Sequence, residues 1–343
     1  RVLVAQQTVA GERARYHSVE QNVIMSVISA HLDVITARQK TEIRVSNLAR
    51  LYAQKEAAQV RFGNGSATPS DIAETEARLA RAQAEKILSD SQLMNAEEAY
   101  LSLTGVFPDG LVTPVIPVDL PSSLLMAENL ATERHPDILT AVASEKRASL
   151  QFPLLQATVK PTLDISLSAS TMDQTGTLAD KDELSATVTF TSPILVTEST
   201  RSLAREALSL HSQARLSVSE ARRTAQLNVR NAFRALQASQ GQLDAVRAEI
   251  KAAQLLVDNA IAEVEFGVKT FLDQMDAEQD LSDAKLKFSQ TKQSVLLNAF
   301  TLIQATGRLG PDLFDLAEKS VSLDSIPDPS SRYPYMLPFS VEE

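Results

Sequence analysis

The chain has 343 residues, of which 44% are hydrophobic but only 5% aromatic, and its 33 Lys and Arg against 43 Asp and Glu give a formal charge of −10. This acidic balance argues against nucleic-acid binding, which needs a basic stripe, and the absence of Cys excludes disulfides, thiolate catalysis and Cys-ligated metals. The abundance of Ala and Leu favours long helices. Without an uncharged apolar run of 18 residues, no transmembrane helix is expected.

The first hundred residues predict an antiparallel helical hairpin. Apolar residues recur at three- and four-residue steps, as at Val23, Val27, Ala30, Val34 and Ala37. The turn falls at 63–65, which contains Gly65, and a return helix is expected from about Pro69 to Leu103. Ser70 is expected to cap that helix, Asp71 to complement its dipole, and Gly105 to end it.

Two period-two segments follow a Pro-rich stretch of short predicted helices. Apolar and hydroxyl residues alternate from Leu163 through Ile165 and Leu167, and again up to Val188 and Phe190. Such strands suit a membrane β-barrel, with these five side chains facing lipid and the hydroxyls facing a wet lumen. A soluble β-hairpin packed on helices would give the same alternation. The segment from Met172 to Glu183 is expected to be the exposed loop.

The remainder of the chain predicts a second helical hairpin. From about Glu198 to Glu263 there is no Pro, so one helix of some 65 residues would reach about 100 Å. A stripe of small residues along it, including Ala235 and Ala245, is expected to let another helix approach closely, as in coiled coils. Gly267 ends this helix, and a return helix is expected from about Thr270 to Ala305.

The two hairpins are predicted to be copies of one repeat. Gly65 aligns with Gly267 at an offset of 202 residues, and the same offset without gaps aligns Asp71 with Asp273 and Thr104-Gly105 with Thr306-Gly307. The strand equivalents of the first copy then fall upstream of residue 1. We therefore expect the precursor to carry a further strand hairpin and a signal peptide before Arg1.

These features together resemble the TolC family of outer-membrane efflux and secretion channels. The resemblance rests on two helical-hairpin repeats with a strand pair between them, the glycine-to-aspartate turns, the Thr-Gly endings and two segments, 190–195 and 267–277. It implies a mainly α fold with β-strands, in which three subunits share one β-barrel and one α-helical tunnel. It divides the chain into 1–105 (first tunnel hairpin), 106–160 (equatorial), 161–193 (barrel strands), 194–307 (second tunnel hairpin) and 308–343 (equatorial tail).

The resemblance also implies roles for residues at the hairpin turns. Asp273 and Asp276 match the tunnel constriction, and Lys269 matches a basic residue that tethers the closed aperture to partners at Ser70 and Asp71. Gly65 and Gly267 mark the tips that would contact a periplasmic adaptor. The family commonly has an aromatic tether where this chain has Val264, which leaves the closing network open.

The spacing and charge of the two constriction aspartates indicate a role that does not depend on the family resemblance. Asp273 and Asp276 are three residues apart on one helix face, so three-fold symmetry would gather six carboxylates in a cation-attracting ring. The alternative is that both are simply acidic residues in the first turns of a solvated helix.

The sequence carries no motif for catalysis or for a cofactor. The four His residues are scattered, and no nucleophile elbow, Walker loop or dinucleotide fingerprint is present. The leading hypothesis is therefore a passive outer-membrane exit duct extending into the periplasm of a Gram-negative cell. It would be a homotrimer in lipid that works with a periplasmic adaptor and an inner-membrane transporter. A coiled-coil scaffold and a periplasmic adaptor are the alternatives, and the cargo, drug or secreted protein, stays open.

Overall fold

A computed structural model describes residues 2–115, 120–172, 181–193 and 197–314. The described elements are seven α-helices, two strands and a 3-10 helix at Pro311–Phe314. The helices are α1 (Val2–Gly63), α2 (Pro69–Thr104), α3 (Leu124–Arg134), α4 (Pro136–Ser149), α5 (Gln151–Thr158), α6 (Glu198–Glu265) and α7 (Phe271–Ala305), and the strands are β1 (Thr162–Met172) and β2 (Lys181–Thr191). The mainly helical fold with one strand pair is therefore confirmed.

The helices that were predicted to pair do pair, in antiparallel fashion. On α1 and α2, Arg38 binds Glu97 at 2.8 Å, whereas Lys55, further along α1, binds Glu76 at 2.9 Å. On α6 and α7, Lys287 binds Glu249 at 2.8 Å, whereas Val257 and Ala260, further along α6, pack with the earlier α7 residues Ala277 and Leu281. In each pair, the residue numbers of the partners fall along one helix as they rise along the other. The two helices are therefore antiparallel, and each pair is an αα-hairpin.

The described residues divide into two compact units. The strand unit contains the residues up to Arg15 together with Asp137–Arg223, and the hairpin unit contains Tyr16–Pro136 and the described residues from Thr224 onward. Within the strand unit, α4 contacts α1 and α6. A Cβ built on Gly11 would meet the Ala143 Cβ at 3.5 Å, and His211 lies 3.0 Å from the Glu145 carboxylate.

Helix α7 forms the centre of the hairpin unit. Fifteen of its residues are buried, compared with four in α2, its counterpart in the first repeat. One side of α7 packs Leu296 and Phe300 against Leu32 of α1, and another packs Ala277 and Leu281 against α6. Because α7 contacts α1, α2 and α6, whereas α2 contacts α1 and α7, two similar sequences acquire different environments in one chain.

Helix α6 buries a regular line of residues against its neighbours. From Ala225 the buried and half-buried residues recur at alternating steps of four and three, which is the heptad spacing of a coiled coil. This line comprises Ala225, Val229, Ala232, Leu236, Ser239, Leu243, Val246, Ile250, Ala253, Val257 and Ala260. The expected small-residue stripe is right for Ala225, Ala232 and Ala253, which lie in this line, and wrong for Ala235 and Ala245, which lie outside it and are exposed.

The strands pair in the register that the alternation predicts. Leu163 lies opposite Phe190 and Ile165 opposite Val188, so the apolar residues share one face, while Ser166 lies opposite Thr187 on the other. The strands run to Met172 and from Lys181, longer than the sequence indicated. The rest of the expected loop, 173–180, lies outside the described residues.

Candidate functional site

The tip of each hairpin is a glycine turn of the same construction. Gly65 ends α1 with φ of 74°, and Gly267 ends α6 with φ of 73°, conformations that favour glycine because a Cβ would be strained there. In the first tip, the amide after the glycine bonds to the Arg61 carbonyl at 2.8 Å, and in the second the equivalent amide bonds to the Glu263 carbonyl at 2.8 Å. Both turns are therefore Schellman motifs. Equivalent residues of the two turns are 202 positions apart, as expected if the hairpins are copies of one repeat.

Each return helix begins with a capping box. The Thr68 amide donates to Asp71 Oδ2 at 2.7 Å, and the Asp71 amide donates back to the Thr68 hydroxyl at 3.3 Å. In the second hairpin, Thr270 and Asp273 form the same pair of bonds at 2.8 and 3.2 Å. Thr270 is therefore the cap of α7. The expected cap at Ser70 is wrong, because α2 starts at Pro69 and its cap is Thr68.

Hydrogen bonding in the capping boxes changes the acidity of both aspartates. The backbone and side-chain bonds from Thr68 lower the pKa of Asp71 below its ordinary value. The side-chain and backbone bonds from Thr270, with a smaller contribution from Lys269, lower the pKa of Asp273 in the same way. Both carboxylates therefore stay ionised at neutral pH, at the exposed start of a helix whose dipole favours negative charge.

Lys269 binds the second tip itself. Its Nζ lies 2.8 Å from Glu263 Oε2 at the end of α6, and this hydrogen bond raises the pKa of Lys269. Asp71 is engaged with Thr68 instead. The structure of one chain therefore does not bring Lys269 together with Asp71 or Ser70, and the three residues lie on two different tips.

Asp276 faces solvent beside a cation from the other hairpin. Its carboxylate is 63% exposed and accepts from Arg78 Nη1 at 2.7 Å, while Nη2 of the same guanidinium binds Glu74 at 2.7 Å. Burial opposes the charge on Arg78, but the bonds to Glu74 and Asp276 outweigh it and raise the pKa of Arg78. Asp273 is also exposed, one turn before Asp276. The two acids therefore share one open face, as the spacing predicted.

Sequence reasoning missed Arg78 and Thr68. The sequence does indicate the cap, because proline favours the first position of a helix. Pro69 directly after Thr68 therefore predicts that Thr68 is the cap. For Arg78, the pairing with Glu74 at four residues is readable along the helix, but the pairing with Asp276 is not.

The apolar face of the strand pair is uncovered in the single chain. The large apolar side chains on it are between 63% and 76% exposed, and these are Leu163, Ile165, Leu167, Leu184, Val188 and Phe190. Such a continuous apolar surface is unusual for a soluble protein and marks a binding surface for lipid or protein. On the opposite face Ser168 and Ser185 hydrogen-bond to each other at 2.7 Å.

No described helix contains a segment long and apolar enough to cross a bilayer. The described residues also hold no group of three or more His, Asp or Glu side chains placed to ligate a metal.

Paired long helices that end in matched tips, together with a strand pair whose apolar face is bare, are the features expected of an outer-membrane channel. A profile of the outer membrane efflux protein family matches residues 128–308, more than half of the chain. The chain belongs to this family. Its members are channels in the outer membrane and not enzymes, so the channel interpretation and its location are confirmed over the scaffold and adaptor alternatives.

Individual relatives agree with this assignment. The chain is 29% identical over 317 residues to the outer membrane efflux protein BepC of Brucella suis, covering 92% of this chain and 70% of BepC. It is 24% identical over 326 residues to the outer membrane protein TolC of Escherichia coli, covering 90% of this chain and 66% of TolC. A solved membrane protein from Pseudomonas aeruginosa has the same fold, with a TM-score of 0.78 at 21% identity over 90% of this chain and 72% of its own.

Proposed function

We propose that three copies of this chain form the passive exit duct of an efflux or type I secretion assembly, opened at the hairpin tips. Proteins of this family work with adaptor proteins and inner-membrane transporters, and in this proposal such partners supply the energy. The bare apolar face of the strand pair is the observation that carries the proposal. A two-stranded sheet has unpaired edges, which lipid does not tolerate, so strands from several chains must close one barrel.

The helical hairpins supply independent support for a closed ring of subunits. In the single chain the outer side of α2 leaves Ile87, Leu88 and Met94 exposed, and α6 leaves Leu227 and Leu255 exposed. These two faces are different, so a contact between them would join the α2 face of one copy to the α6 face of the next. Such a contact, repeated around a rotation axis, forms a closed ring of copies. A second copy of this chain is therefore the proposed occupant of each face, and three copies are the proposed number.

The open face of α7 supports a constriction at the level of Asp273 and Asp276. Both side chains are exposed, and the first has a lowered pKa, so it carries charge at neutral pH. In a three-fold arrangement these carboxylates would surround the axis, attract cations and repel anions. The acids would then set the ionic selectivity of the duct.

A latch between subunits is proposed at the same tips. Lys269 would bind Ser70 and Asp71 of a neighbouring copy when the aperture is closed. The capping bonds of Asp71 both fall on Oδ2, and among the described residues Oδ1 accepts none. To form this latch, Lys269 would have to break its ion pair with Glu263 and bind Asp71 instead. An exposed ion pair contributes only about 0–1 kcal/mol to the stability of the closed state, so binding of another protein can open such a latch.

The tips themselves offer surface for that partner. Phe266 and Val268 flank Gly267 with more than 70% of their area exposed, and Phe62 is exposed near Gly65. Apolar residues on polar-rimmed tips fit a periplasmic adaptor, whose docking would cover them.

Ion currents through the purified protein in planar lipid bilayers test the duct. We expect discrete channels that select cations, and we expect Asp273→Ala and Asp276→Ala each to lower that selectivity and weaken block by polyvalent cations. Asp244→Ala serves as the control, because it removes an exposed acid from α6 beyond Glu249, whose partner Lys287 lies about three turns further along α7 than Asp276.

Two results would count against the proposal. The absence of any channel activity, with the protein extractable from cells without detergent, would exclude the membrane duct. Channels whose selectivity and block are the same in the wild type and in both α7 variants would leave a duct but exclude the carboxylate ring.

A further inference from the structure

We propose that Arg78 determines the charge and closure of the constriction, by binding Asp276 across the two hairpins of one subunit. The inference rests on the proposed duct and concerns one residue within it. Arg78 belongs to α2 and Asp276 to α7, so their ion pair at 2.7 Å joins the first hairpin to the second, about two and a half turns into α2 and about one and a half turns into α7.

The position of Arg78 makes the contact specific. Only 24% of its side chain is exposed, and Glu74 on the preceding turn holds the guanidinium through Nε and Nη2 at 3.3 and 2.7 Å. With one edge of the planar group fixed by Glu74, the remaining Nη1 points at Asp276. A guanidinium held in this way donates to two carboxylates at once, which a lysine ammonium does less well.

Other contacts at this level hold the same two hairpins together. The Thr75 hydroxyl lies 3.9 Å from the Met275 sulfur, and Arg61 of α1 lies 4.7 Å above the Phe271 ring of α7. A second ion pair lies nearby, because Arg50 Nε of α1 is 3.7 Å from Glu278 Oε2 of α7. The contact between Arg78 and Asp276 is shorter, at 2.7 Å, and joins α2 rather than α1 to α7. Arg78 is therefore placed to set the charge on the α2 side of the junction.

The charge of each subunit at this level follows from the three groups in contact. Glu74 and Asp276 contribute two negative charges and Arg78 one positive charge, so these three groups together carry one net negative charge in the wild type. Removing Arg78 doubles that value, and removing the charge of Asp276 cancels it. The two changes therefore push cation selectivity in opposite directions, while both break the link between the hairpins.

The test is a double-mutant cycle on the protein in planar bilayers. We expect Arg78→Gln to raise both the conductance and the cation-to-anion permeability ratio at least twofold. Asp276→Asn should raise the conductance similarly but lower the ratio. In the Asp276→Asn background, Arg78→Gln should produce no further rise in conductance, because the link is already broken.

Arg81→Gln is the matched control. It removes the same charge from an exposed residue one turn further along α2. A selectivity change in Arg81→Gln as large as that in Arg78→Gln would show a general charge effect and overturn the specific pairing. Asp276→Asn removes an exposed group and leaves Arg78 paired with Glu74, so it tests the link even if Arg78→Gln assembles poorly.

The remaining outcomes separate this inference from the duct itself. Wild-type channels with selectivity and conductance unaltered by both Arg78→Gln and Asp276→Asn would leave the duct standing and overturn the role of Arg78. A wild-type protein that carries no current would overturn the duct and this inference with it.

Discussion

Asp71 and Asp273, 202 residues apart, occupy the same position in two capping boxes, each accepting a hydrogen bond from the amide of the threonine three residues earlier, at 2.7 and 2.8 Å. The preceding glycine turns also match bond for bond. Local geometry is therefore repeated in both tips, although the packing around α2 and α7 differs.

The shared capping bonds predict how the tips respond to acid. Both aspartates have a folded-state pKa below the ordinary value of 3.8. Stability from a lowered pKa is complete above the unfolded value and is lost as the pH falls through the folded one. We therefore expect both helix starts to stay intact down to about pH 4 and to loosen below it.

Pepsin cleavage near residues 66–72 and 268–274 measures this loosening. The ratio of the cleavage rate of an Asp71→Asn, Asp273→Asn double variant to that of the wild type cancels the pH dependence of the protease. The ratio should exceed one at pH 5 and approach one under strongly acidic conditions. A ratio that does not change with pH, or that Asp280→Asn reproduces, would contradict the assignment.

Replacing the capping threonines should weaken the starts of α2 and α7. Thr68→Ala and Thr270→Ala each remove the oxygen that accepts from the third helical amide, which costs about 0.5–2 kcal/mol. Ser70→Ala should change little, because Ser70 lies inside α2 and is not its cap. Hydrogen exchange of the first helical turns measures the effect, and equal protection in Thr68→Ala and Ser70→Ala would disprove the capping role.

Gly307 should be the least replaceable of the positive-φ glycines. It adopts φ of 73°, and a Cβ there would come within 2.7 Å of the Arg134 carbonyl oxygen. Gly105, its counterpart with φ of 71°, has nothing within 4 Å of such a Cβ. Gly105→Ala should cost about 1–2 kcal/mol from its backbone conformation alone, and Gly307→Ala should cost more because backbone atoms must move.

Thermal unfolding followed by circular dichroism compares the two glycine variants. A larger fall in the midpoint is expected for Gly307→Ala than for Gly105→Ala. Similar falls for both would mean that the close approach to Arg134 is relieved without cost.

The two faces of the strand pair should differ in their tolerance of charge. Leu167→Arg places a cation on the exposed apolar face, which costs about 2–4 kcal/mol if that face meets the middle of a bilayer. Ser166→Arg places the same group on the hydroxyl face and should be tolerated. The amount of protein recovered from outer membranes reports the difference, and equal recovery of both variants would argue against lipid contact.

The sequence by itself determined the elements of this protein and, for the long helices, about where they end. The glycine at each tip, the threonine-to-aspartate spacing and the period-two strands act within about six residues, so their physical chemistry is readable along the chain. For the same reason the 202-residue repeat was visible without any structure. The cap of α2 is also decided within this local range, because Pro69 favours the first helical position and so makes Thr68, not Ser70, the cap.

Only the tertiary structure decided which residues meet between hairpins. The spacing placed Asp273 and Asp276 on one face, but nothing local indicated that Asp276 pairs with Arg78, and Ala235 was expected in a contact stripe from which the heptad line excludes it. Such contacts depend on which sides of α7 are covered. That choice is made by summed apolar burial over four packed helices, a quantity that no short segment of sequence contains.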